Sequence, residues 1–197
     1  MMRLSETQRD LRWQMEVVAY RCLHAVEYFQ GVTGHGADFW KFSQNCFGET
    51  ACLLWCHLFN SRNKDPVHYW KLFGNDQLSV LSSDFLYREV QRRLRSTANL
   101  DKDAYENFRA QVIDFRNKYI SHREYEIGTI IFSDIQKIAA MCIELRVLLE
   151  ETVRTEQQFN SGDSDLEQLG EYYAAHQNTA IVAKFRKEAA DAVRNAA

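Results

Sequence analysis

The stretch KDAYENFRAQVIDFRNKYISHR, residues 102–123, decides the fold. Its large apolar side chains fall at Tyr105, Phe108, Val112, Phe115 and Tyr119, in steps of 3, 4, 3 and 4. At about 3.6 residues per turn these positions stack into one stripe of a helix, whereas a half-buried strand needs an apolar residue at every second position. The helix is expected to start at Leu100-Asp101 and to end near Ser121-His122.

The same spacing extends in both directions. Downstream, Ile135, Ile138, Cys142, Leu145, Leu149 and Thr152 define a long helix beyond the break at Gly128. Upstream, Leu11, Met15, Val18, Cys22, Ala25 and Phe29 form another stripe, with Ser5 placed as N-cap and Gly31 as terminator. GVTGHG (31–36) reads as a loop, and Asp38 to Phe59 as a second helix with Phe42, Cys46, Leu53 and Cys56 inward. NSRNKDPVHYWKLFGND (60–76) reads as a long connection with aromatic anchors, and Asp84 to Arg95 as a short helix. With 1 Pro and 8 Gly in 197 residues, breaks are too few for many short strands and turns. The expected fold is all-α: an antiparallel bundle of four to five main helices over residues 1–159. Residues 160–197 carry an acidic linker and an Ala-rich C-terminal helical arm with a thin apolar stripe.

Composition narrows the function. A chain of this length buries enough surface to fold without a disulfide or metal staple. The 5 cysteines are odd in number and lie in apolar segments, as reduced cytosolic cysteines do. No stretch near Met1 resembles a signal peptide and no run of about 18 apolar residues occurs, so a cytoplasmic, non-membrane protein is expected. The net charge of -3 argues against a constitutive DNA-coating role and leaves room for a local basic site. That figure averages two unequal segments: residues 84–123 hold 9 Lys/Arg against 6 Asp/Glu, and residues 144–171 hold 8 Asp/Glu against 2 Lys/Arg. Arg88, Arg92 and Arg95 share a helical face with Arg93 beside it, a pattern that suits a phosphate backbone, or simply a solvated helix face.

Chemistry concentrates at Phe115-Arg116-Asn117-Lys118-Tyr119-Ile120-Ser121-His122-Arg123. Arg116-Asn117, four residues, then His122, at the end of a periodic helix with another long helix behind it, resembles the HEPN superfamily. These are small helical domains widespread in toxin–antitoxin and abortive phage-infection systems, whose signature is Arg, a polar residue, a short spacer and His. The resemblance implies a metal-independent endoribonuclease without cofactor, working as a homodimer that places both motifs across one cleft. It further implies RNA as substrate and an antitoxin or other defence-system partner.

The residue types suit that reaction. An imidazole, ordinarily titrating near pH ~6.5, can move protons to and from RNA hydroxyls at cellular pH. A guanidinium offers phosphate a fixed fork of donors and stays charged. Arg116 is therefore assigned to phosphate, His122 to acid/base work and Asn117 to orienting them, with Arg88, Arg92, Arg93, Lys118 and Arg123 as RNA-binding cations. In one continuous helix Arg116 and His122 border the buried stripe on opposite sides, roughly 70° and 50° from it, so they cooperate only if the helix ends between them or two protomers pair. The alternative is a non-catalytic HEPN-like helical module for dimerisation or for partner or RNA binding. In that case Arg116 and His122 satisfy the last carbonyls of their helix.

Other motifs are set aside on physical grounds. Arg62-Asn63 and His68 repeat the pattern, but Pro66 between them disfavours helix. Cys46, Cys52, Cys56 and His57 include no CxxC pair and have apolar neighbours, which favours packing over zinc. GVTGHG lacks the strand-to-helix setting of a phosphate loop.

Overall fold

Every regular element that the apolar stripes demand is a helix. The computed structural model describes residues 4–32, 38–60, 65–74, 84–117 and 134–160. Among them lie α1 (Glu6–Gly31), α2 (Asp38–Phe59), the single-turn α3 (Trp70–Phe73), α4 (Asp84–Thr97), α5 (Lys102–Phe115) and α6 (Ile135–Asn160), and no strand. The fold is an all-α bundle, with five main helices among the described residues. No described helix is long and apolar enough to cross a membrane.

The caps are those the sequence offers. Ser5 accepts from the Gln8 amide while the Gln8 side chain accepts from the Ser5 amide, at 3.2 and 2.7 Å, a reciprocal capping box. The Asp101 carboxylate accepts from the Ala104 amide at 2.8 Å and opens α5. Removing the first of these with Ser5→Ala is expected to lower stability by about 1 kcal/mol, read as a shift in the urea midpoint. A change within error would mean that α1 is held by packing alone.

α1 runs antiparallel to both α2 and α6. Cys22 of α1 meets the Ala51 carbonyl of α2, and further along α1 Tyr28 packs on Phe47, earlier in α2. Arg146 of α6 pairs with Glu16 of α1 at 2.6 Å, and Cys142, one turn earlier in α6, meets Cys22, later in α1. The shared interior is built from Met15, Ala19, Cys22, Ala51, Cys52, Trp55, Leu58, Ile138, Cys142, Leu145 and Leu149, all fully buried. Trp55 sits near its middle, edge-on to Phe108 of α5 at 5.4 Å and beside Phe59.

The stripes on α1, α5 and α6 point inward as expected, Val18 and Tyr105 being only half-buried and Tyr119 lying outside the described residues. The inward face of α2 differs. Phe42 is 66% exposed and Leu53 also faces outward, while Ala51, Cys52, Trp55, Cys56, Leu58 and Phe59 are buried. A helix packed against α1, α5 and α6 buries a wide sector, and a single stripe does not describe it. The α-helix of α5 closes at Phe115, and Arg116 and Asn117 continue it as a wider, π-type turn; Ser121 and His122 lie outside the described residues. Residues 161–197, which include the expected C-terminal arm, lie outside them as well.

Candidate functional site

Three groups of side chains include the residues singled out in the sequence or lie beside them. At the C-terminal end of α5, the Oδ1 of Asn117 accepts from both Nε and Nη2 of Arg116, at 3.3 and 2.9 Å. A wide turn in the backbone lets neighbouring residues direct their side chains together, and such turns in helices occur often at functional sites. The guanidinium is half-buried and the amide is exposed, so the pair sits at the protein surface. The third member of the motif, His122, lies outside the described residues, as do Lys118 and Arg123.

Arg116 also borders the end of α2. Burial pushes the Cys56 thiol up to about 11, against the pull of Arg116, which lies within hydrogen-bonding reach of the sulfur; Asp65 raises it further and Arg109 draws it down. A thiol in this state is neutral at cellular pH and acts as a packing group, not as a nucleophile. Beside it, the Nδ1 of His57 contacts the Oδ1 of Asp65 in the turn that follows α2. Arg109 of α5 donates to the Asn60 carbonyl at 3.2 Å and to Glu106 at 3.3 Å. One end of the molecule therefore gathers His57, Asp65, Arg109, Arg116 and Asn117 from α2, the turn after it and α5.

The segment that repeats the Arg-polar-His pattern has a different role. Pro66 lies in a turn, as its chemistry requires. His68 is buried, its Nδ1 accepts from the Trp70 amide at 3.0 Å, and its ring stacks on Tyr69. It fixes the entry to α3. The Asp65 that this segment supplies to His57 carries no signal in the sequence beyond its closeness to a proline.

The arginine track is corrected by burial. Arg93 is only 5% exposed: its Nε donates to Glu144 at 2.7 Å, and its Nη1 and Nη2 donate to Glu151 at 2.8 and 3.0 Å. Burial works against its charge, yet the hydrogen bonds and field of Glu151 and Glu144 leave its pKa above that of an ordinary arginine. The guanidinium is spent inside the protein and does not reach a phosphate. Arg92, half exposed, pairs with Glu89, and Arg88 faces solvent. Glu144 and Glu151, two of the 8 acidic residues between 144 and 171, are likewise buried.

Among the described residues no group of three or more His, Cys, Asp or Glu converges in a way that holds a metal ion. Cys52 and Cys56 are buried in the core, and burial raises the Cys52 thiol as well. Comparisons with protein-family models, curated proteins and solved structures return no match to this chain.

Proposed function

We propose that this protein is a metal-independent endoribonuclease of the phage-defence or toxin–antitoxin type, working in the cytoplasm as a homodimer. The observation that supports this reading is the contact between Arg116 and Asn117. An amide oxygen that accepts two of the donors of a guanidinium holds its plane and leaves the remaining donors for phosphate oxygens. Arg116 neutralises the scissile phosphate, Asn117 orients Arg116, and His122 moves protons. The 2′-oxygen attacks phosphorus, the bond from phosphorus to the 5′-oxygen breaks, and the products are a 2′,3′-cyclic phosphate and a 5′-hydroxyl. Arg88 and Arg92 on α4, with Lys118 and Arg123, supply further positive charge for the RNA backbone.

The test is cleavage of structured and unstructured RNAs by the purified full-length protein and its His122→Ala variant. Wild type is expected to cut and to leave cyclic-phosphate ends, and His122→Ala is expected to lose most of that rate. Equal rates from the two proteins would overturn the reading. A second reading, a non-catalytic helical module that binds a partner, draws support from the exposed Trp13, Tyr20, Tyr28 and Phe42. It predicts that neither Arg116→Ala nor His122→Ala alters RNA integrity or toxicity in cells.

A further inference from the structure

A carboxylate can only accept a hydrogen bond, so Asp65 fixes the proton of a neutral His57 ring on Nδ1. Nε2 is then the unprotonated nitrogen, the form in which an imidazole takes a proton. The side chain of His57 is 43% exposed and that of Asp65 is 19% exposed, so the ring is open to a ligand while its orienting partner is largely covered. This is the arrangement of a general base held in one tautomer by a carboxylate behind it. A merely structural histidine is placed differently in this same protein: His68 is buried and accepts from a backbone amide.

The position in the fold matters as much. His57 closes α2, where Arg109 of α5 grips the Asn60 carbonyl, and Arg116 reaches the neighbouring Cys56. A proton-transfer group, a phosphate-binding fork and an orienting amide thereby lie at the C-terminal ends of α2 and α5, which meet where Arg116 reaches Cys56. Asp65 contacts the His57 ring, and Asp65 with Arg109 and Arg116 of α5 also acts on the thiol of the neighbouring Cys56. Arg109 is itself paired with Glu106.

We infer that His57, oriented by Asp65, is a second catalytic residue of the RNA-cleaving site, accepting the proton of the 2′-hydroxyl. The inference rests on the ribonuclease reading above and deepens it. In the step it describes, the 2′-oxygen passes its proton to Nε2 of His57 and forms a bond to phosphorus. The bond from phosphorus to the 5′-oxygen breaks, and that oxygen takes a proton from a second acid, the role given to His122. Solvent then returns both groups to their starting states, so no metal or redox partner is needed. Two imidazoles in complementary protonation states give a rate that rises and then falls with pH, with the base responsible for the acidic limb.

The experiment uses the full-length protein and a single-stranded RNA oligonucleotide labelled at its 5′ end, with rates measured across the pH range and product ends mapped. His57→Ala is expected to slow cleavage by about 10²–10⁴-fold and to flatten the acidic limb, while the urea midpoint changes little. Asp65→Asn is expected to slow it less, and free imidazole to restore part of the rate to His57→Gly. Cleavage by His57→Ala at the wild-type rate would overturn this assignment alone. A slowed variant that keeps its acidic limb and ignores added imidazole would make His57 structural and overturn it equally. No cleavage by wild type would overturn the ribonuclease reading, and this assignment with it.

Discussion

Arg93→Ala is expected to destabilise the protein by about 3–5 kcal/mol, a large share of a total near 5–15 kcal/mol. The loss comes from what remains. Glu144 and Glu151 are 1% and 4% exposed, and removing Arg93 takes from both buried carboxylates the guanidinium that bonds them. Thr97 donates to Glu144 at 3.0 Å, and a neutral hydroxyl donor does not replace the charge of the lost guanidinium. At a urea dependence of about 2 kcal/mol per M, the midpoint falls by roughly 2 M. Replacing the whole cluster is different, because removing all three charges together also removes their desolvation cost. The triple variant Arg93→Met, Glu144→Gln, Glu151→Met is expected to recover most of the stability, Gln keeping an acceptor for Thr97. A loss below about 1 kcal/mol from Arg93→Ala would show that water reaches the cluster. The position of α4 on α6 would then rest on apolar contacts such as Val90 and Leu94 alone.

That cluster also marks where sequence reasoning stops. Local signals carried the fold well. Ser5 and Asp101 are caps recognisable from their neighbours, and the stripes of α1 and α6 are fixed by helical geometry within each segment. The inward face of α2 was less legible because three other helices pack on it, and only their positions tell Ala51 and Cys52 from Phe42 and Leu53. Arg93 finds its carboxylates 51 and 58 residues away, so its charge looks like surface charge until α4 and α6 are laid side by side. The site divides in the same way. Arg116 and Asn117 are adjacent, and their contact follows from one turn of backbone. His57 meets Asp65, the residue before Pro66, in the segment that a search for a helical motif sets aside.

Arg116→Ala is expected to lower the RNA-cleavage rate by about 10²–10³-fold, the usual effect of removing one preorganised donor from the centre of charge in a transition state. Arg116→Lys is expected to recover only part of that loss. An ammonium restores the charge but not the planar fork that Asn117 orients, so phosphate would be bound without being aligned. Asn117→Ala is expected to fall between wild type and Arg116→Lys, since it frees the guanidinium without removing it. Stability separates this role from a structural one. The contacts of Arg116 are an exposed amide and a thiol that stays neutral at cellular pH, so Arg116→Ala strands no buried charge and should shift the urea midpoint far less than Arg93→Ala. Measuring rate and midpoint on both variants makes the contrast sharp: Arg93 is expected to change stability, and Arg116 to change turnover. If Arg116→Ala instead lost stability and kept its rate, the guanidinium would serve to pin the end of α5 to Cys56, and phosphate binding would have to be sought elsewhere.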